Sequence, residues 1–197
     1  MTDAHPHRFD LIVFDWDGTL YDSTQVIVRC IQAAVVDVGG RMPSAADAAW
    51  VIGLGLAEAL ARAAPDVPNE KYPDLGARYR FHYLKHQDDL VLFDGVLPML
   101  DALRERGHKL AVATGKSRRG LNEALATAAL RDRFDDSRTA DETFGKPHPR
   151  MLLELMEALE AAPERTLMIG DTTHDLQLAI NAGCARVGVS YGAHEPA

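Results

Sequence analysis

The 197-residue sequence predicts an α/β fold: a parallel β-sheet with helices on both faces, and a block of further helices inserted after the first strand. Three observations predict it. Short apolar runs ending on a polar residue recur along the chain, and helical patterns separate them. The interval between the first two runs is far longer than a strand–helix–strand crossover needs.

The first run is "FDLIVFD" (9–15), an unbroken apolar stretch suited to a strand buried on both faces. "STQVIVRCIQAAVVDV" (23–38) then repeats Ile27, Ile31, Val35 and Val38 at helical spacing and stops at Gly39-Gly40. Ser44 and Asp47, after Pro43, have the spacing of a capping box. Gly53 and Gly55 interrupt "VIGLGLAEAL"; "GLGL" (53–56) is either a plain helix break or the loop of the insert that faces the sheet. A last helix, about 73–86, repeats Leu75, Tyr79, Tyr83 and His86. Residues 21–92 are therefore expected to form a small α-helical cap domain, with 1–20 and 93–197 as the α/β core.

In the core, "PMLDALRERG" (98–107) has proline near its start and glycine at its end, the usual asymmetry of a helix. "KLAVATG" (109–115) is the second strong strand. "SRRGLNEALATAAL" (117–130) follows as a helix carrying Leu121, Leu125 and Ala128 on one stripe. "DSRTA" (136–140) is a weaker strand, and "PRMLLELMEALEAA" (149–162) a helix presenting Leu152, Leu155 and Leu159. "TLMIGD" (166–171) is a strand, "DLQLAINAG" (175–183) a helix, and "ARVGVSYG" (185–192) the final strand. Alternation of this kind implies right-handed crossovers.

Composition narrows the function. With 47% hydrophobic and 25% charged residues the chain is an ordinary globular one. A formal charge of −8 argues against a nucleic-acid or acidic-membrane partner, which needs a basic footprint. Two cysteines, Cys30 and Cys184, both in apolar helical contexts, predict a reduced, cytoplasmic protein rather than a disulfide framework. "MTDAHPHRFD" lacks the apolar segment of a signal peptide, and no run approaches the roughly 18 apolar residues that span a bilayer.

The polar residues that end the strands carry the chemistry. Strand one ends in Asp15 and Asp17, strand two in Thr114 and Gly115, and a later strand in Asp171, with Asp175 four residues on. In open α/β sheets ligands bind beyond the carboxyl ends of the strands, so four carboxylates and a hydroxyl should converge there. An Asp-Gly turn is the plain alternative for Asp17-Gly18, but it does not explain the other strand ends. An EF-hand would need Gly and Glu where Leu20 and Val26 stand, and a phosphate loop ending in "GKS" would need Gly at Leu110. "TGKS" (114–117) still offers a helix N-terminus capped by Ser117, whose amides favour an anion. "FGKPHP" (144–149) supplies a cation: the following proline keeps Lys146 extended ahead of the helix. A lone lysine is ordinarily a solvated charge; its convergence with the acidic cluster makes it a site residue. Lys116, Arg118 and Arg119 are favoured as a solvated helix face over a steering patch, and His82 and His86 as helix surface. His174 has no assigned role.

Assembled in order, "DWDGTLYDS" (15–23), "ATGKS" (113–117), "GKPHP" (145–149) and "GDTTHDLQLA" (170–179) resemble the four motifs of the haloacid dehalogenase-like (HAD) superfamily of hydrolases. The resemblance is closest to its phosphoglycolate phosphatase-like branch and covers nearly the whole chain. It departs at Trp16, where the family has a smaller residue, and at "YGAHEPA", beyond which many relatives carry another strand and helix. The resemblance implies a Rossmann-like core and a Mg²⁺-dependent phosphatase acting on a small phosphorylated metabolite, with phosphoglycolate a candidate. It implies Asp15 as the nucleophile that becomes an aspartyl-phosphate, and Asp17 as acid and then base. Asp15, the carbonyl of Asp17 and Asp171 would bind Mg²⁺, with Asp175 direct or through water. Thr114, Gly115 and Lys146 would hold the phosphoryl group. Charge supports this: a carboxylate approaches a phosphate dianion only where a metal and a cation offset the repulsion. A sugar-phosphate mutase of the same fold is the near alternative. A dehalogenase has no use for Asp17. A phospho-accepting receiver module, a signalling switch, has no place for the roughly 70-residue insert or for an acid beside its acceptor.

Overall fold

The computed structural model describes residues 8–86, 90–128 and 130–195. The leader-free reading of the first seven residues, position 129 of the expected helix 117–130, and the end of "YGAHEPA" lie outside the described residues. β1 (Leu11–Phe14) leads through a tight loop to β2 (Tyr21–Asp22), and the insert follows as α1 (Thr24–Asp37), α2 (Ala45–Trp50), α3 (Leu56–Ala63) and α4 (Tyr72–Lys85). The chain returns through β3 (Val91–Leu92), which pairs antiparallel with β2, Tyr21 opposite Leu92 and Asp22 opposite Val91. Then come α5 (Val96–Glu105), β4 (Lys109–Thr114), α6 (Arg118–Thr127) and β5 (Asp136–Thr139). α7 (Arg150–Ala158), β6 (Thr166–Gly170), α8 (Thr173–Ala182) and β7 (Ala185–Gly188) complete it.

The main sheet runs β5-β4-β1-β6-β7, with every neighbouring pair parallel. Val13 of β1 pairs with Ala111 on one side and Met168 on the other. After β1 the sheet grows first toward β4 and β5, then on the opposite edge toward β6 and β7. Strand order therefore reverses at β1, and the crevice beyond its carboxyl end is where such sheets bind ligands. That is where Asp15 stands.

Alternation along the strands decides which helix covers which face. Leu11, Val13, Ala111 and Met168 pack with Met151, Leu155 and Leu178 of α7 and α8. Ile12, Phe14, Leu110 and Val112 pack with Leu100 and Leu121 of α5 and α6. The insert has its own core, in which Ile27, Ile31 and Val35 of α1 meet Val51, Leu60 and Leu75. It is not sealed off from the sheet layer, since Val26 and Cys30 on another side of α1 join the Phe14 cluster.

All five expected core strands form, within a few residues of the predicted ends. The β2–β3 ribbon was not expected, because two-residue strands leave no periodic signal. The capping box expected at Ser44 forms by half. The Ser44 side chain accepts the Asp47 N–H, but the Asp47 carboxylate takes the serine hydroxyl instead of a backbone N–H. The reciprocal arrangement occurs at Thr172 and Asp175, opening α8.

Candidate active site

Asp15 follows the last residue of the central strand, and its backbone N–H still donates to the Ile169 carbonyl of β6. Continuing the sheet by that bond aims the carboxylate out of the strand ends, fully buried. Lys146 Nζ stands 2.7 Å from Asp15 Oδ1 and 2.6 Å from Asp175 Oδ1. Asp15 Oδ2 has no hydrogen-bond partner among the described residues. Burial drives the Asp15 carboxyl well above the ordinary carboxylate range. Lys146 opposes the shift, while Asp175 and Asp171 reinforce it. For Lys146 burial alone would lower the ammonium, yet Asp15 and Asp175 win and raise it. The Lys146–Pro147 peptide is cis, and α7 starts just beyond.

One oxygen from each of Asp15, Asp171 and Asp175 falls within 4.8 Å of the others, all three buried. Asp171 Oδ1 accepts the Thr19 hydroxyl at 2.9 Å and Oδ2 the Ala193 N–H at 2.7 Å. Burial raises its carboxyl too. Gly18, at φ +79°, and Gly192 close over Asp171 from opposite ends of the chain; a β-carbon at either would collide with its carboxylate. Asp175 is committed: Oδ1 faces Lys146, and Oδ2 accepts the Thr172 N–H and hydroxyl at 3.0 and 2.6 Å. The donor set suits a hard divalent cation. It is all oxygen, acidic and buried, and one carboxylate oxygen lacks a partner.

Asp17 sits across the loop with a different set of partners. Ser23 donates to its Oδ1 at 2.7 Å, and Lys116 Nζ reaches Oδ1 and Oδ2 at 3.1 and 3.0 Å. The same ammonium donates to the Tyr83 hydroxyl of α4 at 2.9 Å. Lys116 thus ties the insert to the loop after β1, and the reading of it as a solvated helix face is corrected. Side-chain direction, which spacing does not specify, decided the matter. Arg118 and Arg119 do lie on the helix face, paired with Glu142 and Glu123. His82 is helix surface as expected, 2.7 Å from Asp37.

Thr114 ends β4 buried, and its hydroxyl accepts the Lys116 N–H. Ser117 caps α6 by accepting the Gly120 N–H. The "GLGL" loop faces the site: Gly115 lies so close to the carbonyls of Gly53 and Leu54 that no β-carbon would fit. A cavity of about 810 Å³ opens here, with Asp15, Asp17, Thr114, Gly115 and Lys116 at its base and the insert as its roof. Lys146, Asp171 and Asp175 contact or cluster with Asp15 but do not themselves line the cavity.

Sequence reasoning missed a second bridge. The Thr173 N–H donates to Nδ1 of His194, which leaves Nε2–H to donate to the Trp50 carbonyl at 3.0 Å. His174 Nε2 donates to the same carbonyl at 2.8 Å, and the His194 ring stacks on Trp50 at 4.5 Å. Only the placement of His174 inside the last motif hinted at it.

A family model described as haloacid dehalogenase-like hydrolase matches residues 12–189. "Probable phosphatase IndB" of Dickeya dadantii is 35% identical over 189 residues, covering 93% of this chain and 82% of that protein. "Pyrophosphatase PpaX" of Halalkalibacterium halodurans is 32% identical over 186 residues, covering 93% and 85%. The crystal structure of a "predicted phosphoglycolate phosphatase" from Haemophilus somnus 129PT superposes with a TM-score of 0.82 at 26% identity, over 94% of this chain and 87% of that one.

Proposed function

The chain belongs to the haloacid dehalogenase-like hydrolase family, and on that premise we propose that it is a Mg²⁺-dependent phosphatase cleaving small phosphate monoesters through an aspartyl-phosphate on Asp15. One observation carries the reading: a buried carboxylate at the switch point, with a cation on one oxygen and the other unpartnered, under an open cavity.

An oxygen of Asp15 bonds to phosphorus as the ester oxygen leaves, and Asp17 gives that oxygen its proton. Asp17 then takes a proton from the water that attacks phosphorus, which breaks the bond to Asp15 and frees inorganic phosphate. Ser23 and Lys116 hold the Asp17 carboxyl group in place, protonated for the first transfer and ionised for the second. Thr114 and the Gly115 N–H hold the phosphoryl oxygens, and Lys146 balances their charge while pairing with Asp15. Asp15, Asp171 and the Asp17 carbonyl would hold Mg²⁺, with Asp175 direct or through water; when bound, the ion would supply the positive charge that lets carboxylate and phosphate meet. The commitment of both Asp175 oxygens to protein donors supports a main role in orienting Lys146. Residues 21–92 act as a cap that excludes water and selects the alcohol.

Phosphate release from a panel of monoesters, with Mg²⁺ and with EDTA, tests this. Release should need the metal and vanish in Asp15→Asn while the circular dichroism spectrum is kept. Equal release from the variant would remove Asp15 as nucleophile. Transfer of the phosphoryl group to an added sugar phosphate instead of water would turn the reading to a mutase.

A further inference from the structure

We infer that the substrate of this site, if the phosphatase reading holds, is the monoester of an uncharged alcohol bearing an aromatic or branched apolar group, and neither a short phosphorylated acid nor a diphosphate. The inference rests on what lies past the phosphoryl position.

Size is the first argument. A cavity of about 810 Å³ falls in the range that encloses drug-sized ligands, far more than a two-carbon acid fills. The second argument is chemistry. Ile27 and Ile31 of α1, with Val51, Ile52 and Leu54 of the turn between α2 and α3, line the roof. Tyr21, Tyr79 and Tyr83 line the side, the last two with rings 6.0 Å apart and 28° from parallel. Such walls gain from covering a ring or a branched chain.

Charge is the third. Among the described residues of the lining, five carboxylates stand against three cations. Lys116 is held by Asp17 and Tyr83, and Arg119 is paired with Glu123 and largely exposed. Arg80 is exposed on α4, its guanidinium lying back along its own helix, 3.5 Å from where a β-carbon on Gly76 would stand. A second anionic group on the substrate would be stripped of water beside isoleucine, leucine and tyrosine, and the half-buried lining cation, Lys116, is already held by Asp17 and Tyr83. A carboxylate or second phosphoryl group is therefore selected against by the same wall that favours an apolar group.

The test compares kcat/KM with Mg²⁺ for 2-phenylethyl phosphate, ethyl phosphate, phosphoglycolate and inorganic pyrophosphate. The two simple esters have leaving alcohols of similar basicity, so their difference reports binding of the ring. The phenylethyl ester should exceed each of the other three by about tenfold or more. In Leu56→Arg, which adds a cation to the half-buried rim of the cavity, the phenylethyl-to-phosphoglycolate ratio should fall by about tenfold. A ratio of rates on one preparation does not depend on how much of it is folded. Phosphoglycolate or pyrophosphate turned over as well as the phenylethyl ester would overturn the inference and leave the phosphatase reading standing. An unchanged ratio in Leu56→Arg would overturn the assignment of this wall to the alcohol. Absence of phosphate from every ester would instead sink the phosphatase reading, and the inference with it.

Discussion

Lys146 is the residue on which the charge balance turns. Its ammonium is fully buried between Asp15 and Asp175, so Lys146→Met leaves two buried carboxylates facing each other without a cation. Breaking such a pair from one side costs about 3–5 kcal/mol, measurable as a lowered urea midpoint in metal-free protein. Asp15 has the opposite sign. Its folded carboxyl is raised above the ordinary value of 3.8, so the native state favours its protonated form. Without metal, its contribution is present at low pH and is lost as the pH climbs from about 4 through the raised value. Asp15→Asn should therefore gain stability relative to the parent as the pH rises from 4.5 to 7.5 in EDTA. A constant difference between the two unfolding curves would contradict the burial argument. At this scale the sequence was legible wherever a residue ended a strand. Asp15, Thr114 and Asp171 could be placed from strand ends alone, since a parallel sheet brings those ends together. Lys116 could not. It stands just ahead of the Ser117 cap, where a lysine can be solvated as well as turned inward, and Asp17 together with Tyr83 fixes where the ammonium goes.

Among the elements, the turn between α2 and α3 meets the loop after β4 with backbone against backbone. Gly115→Ala would drive a β-carbon into the Gly53 and Leu54 carbonyls and so displace the Gly115 backbone from the phosphoryl position proposed for it. We expect kcat/KM to fall on the order of 100-fold, since misplacement by about 1 Å costs that much. An unaltered rate would mean that the loop yields freely. The cluster of Trp50, His174 and His194 fastens α2 to the start of α8. Burial lowers the His174 imidazole from its usual 6.5, so the neutral ring is the native form. The sign follows: below pH 6.5 the unfolded chain binds the proton more readily, and stability declines as the pH falls through the lowered value. Urea midpoints recorded from pH 8 to 5 should show a smaller decline in His174→Gln than in the parent. The helices were legible from their periodicity, the ribbon of β2 and β3 was not, and the histidine cluster depends on residues 50, 174 and 194, which no local pattern relates.

For the whole molecule, the acidic cluster makes stability depend on a cation. A ligand that binds only the folded state at 100 times its Kd adds about 2.7 kcal/mol, or roughly 5–10 °C in Tm for a chain of this size. Millimolar Mg²⁺ should raise the melting temperature accordingly, and Asp171→Asn should abolish most of the rise; identical shifts in parent and variant would place the ion elsewhere. The α/β class, the inserted helices and the convergence of strand ends were readable because each follows from hydrophobic period and chain length. The closure over Asp171 was not, because it joins positions 18 and 192, remote in the chain and marked only by the lack of a side chain. That closure has a genetic corollary. Every missense change in either glycine codon installs a β-carbon, so neither position has a mild substitute. In a saturating library selected for catalysis, both should be as intolerant as the nucleophile, although neither touches the reacting atoms.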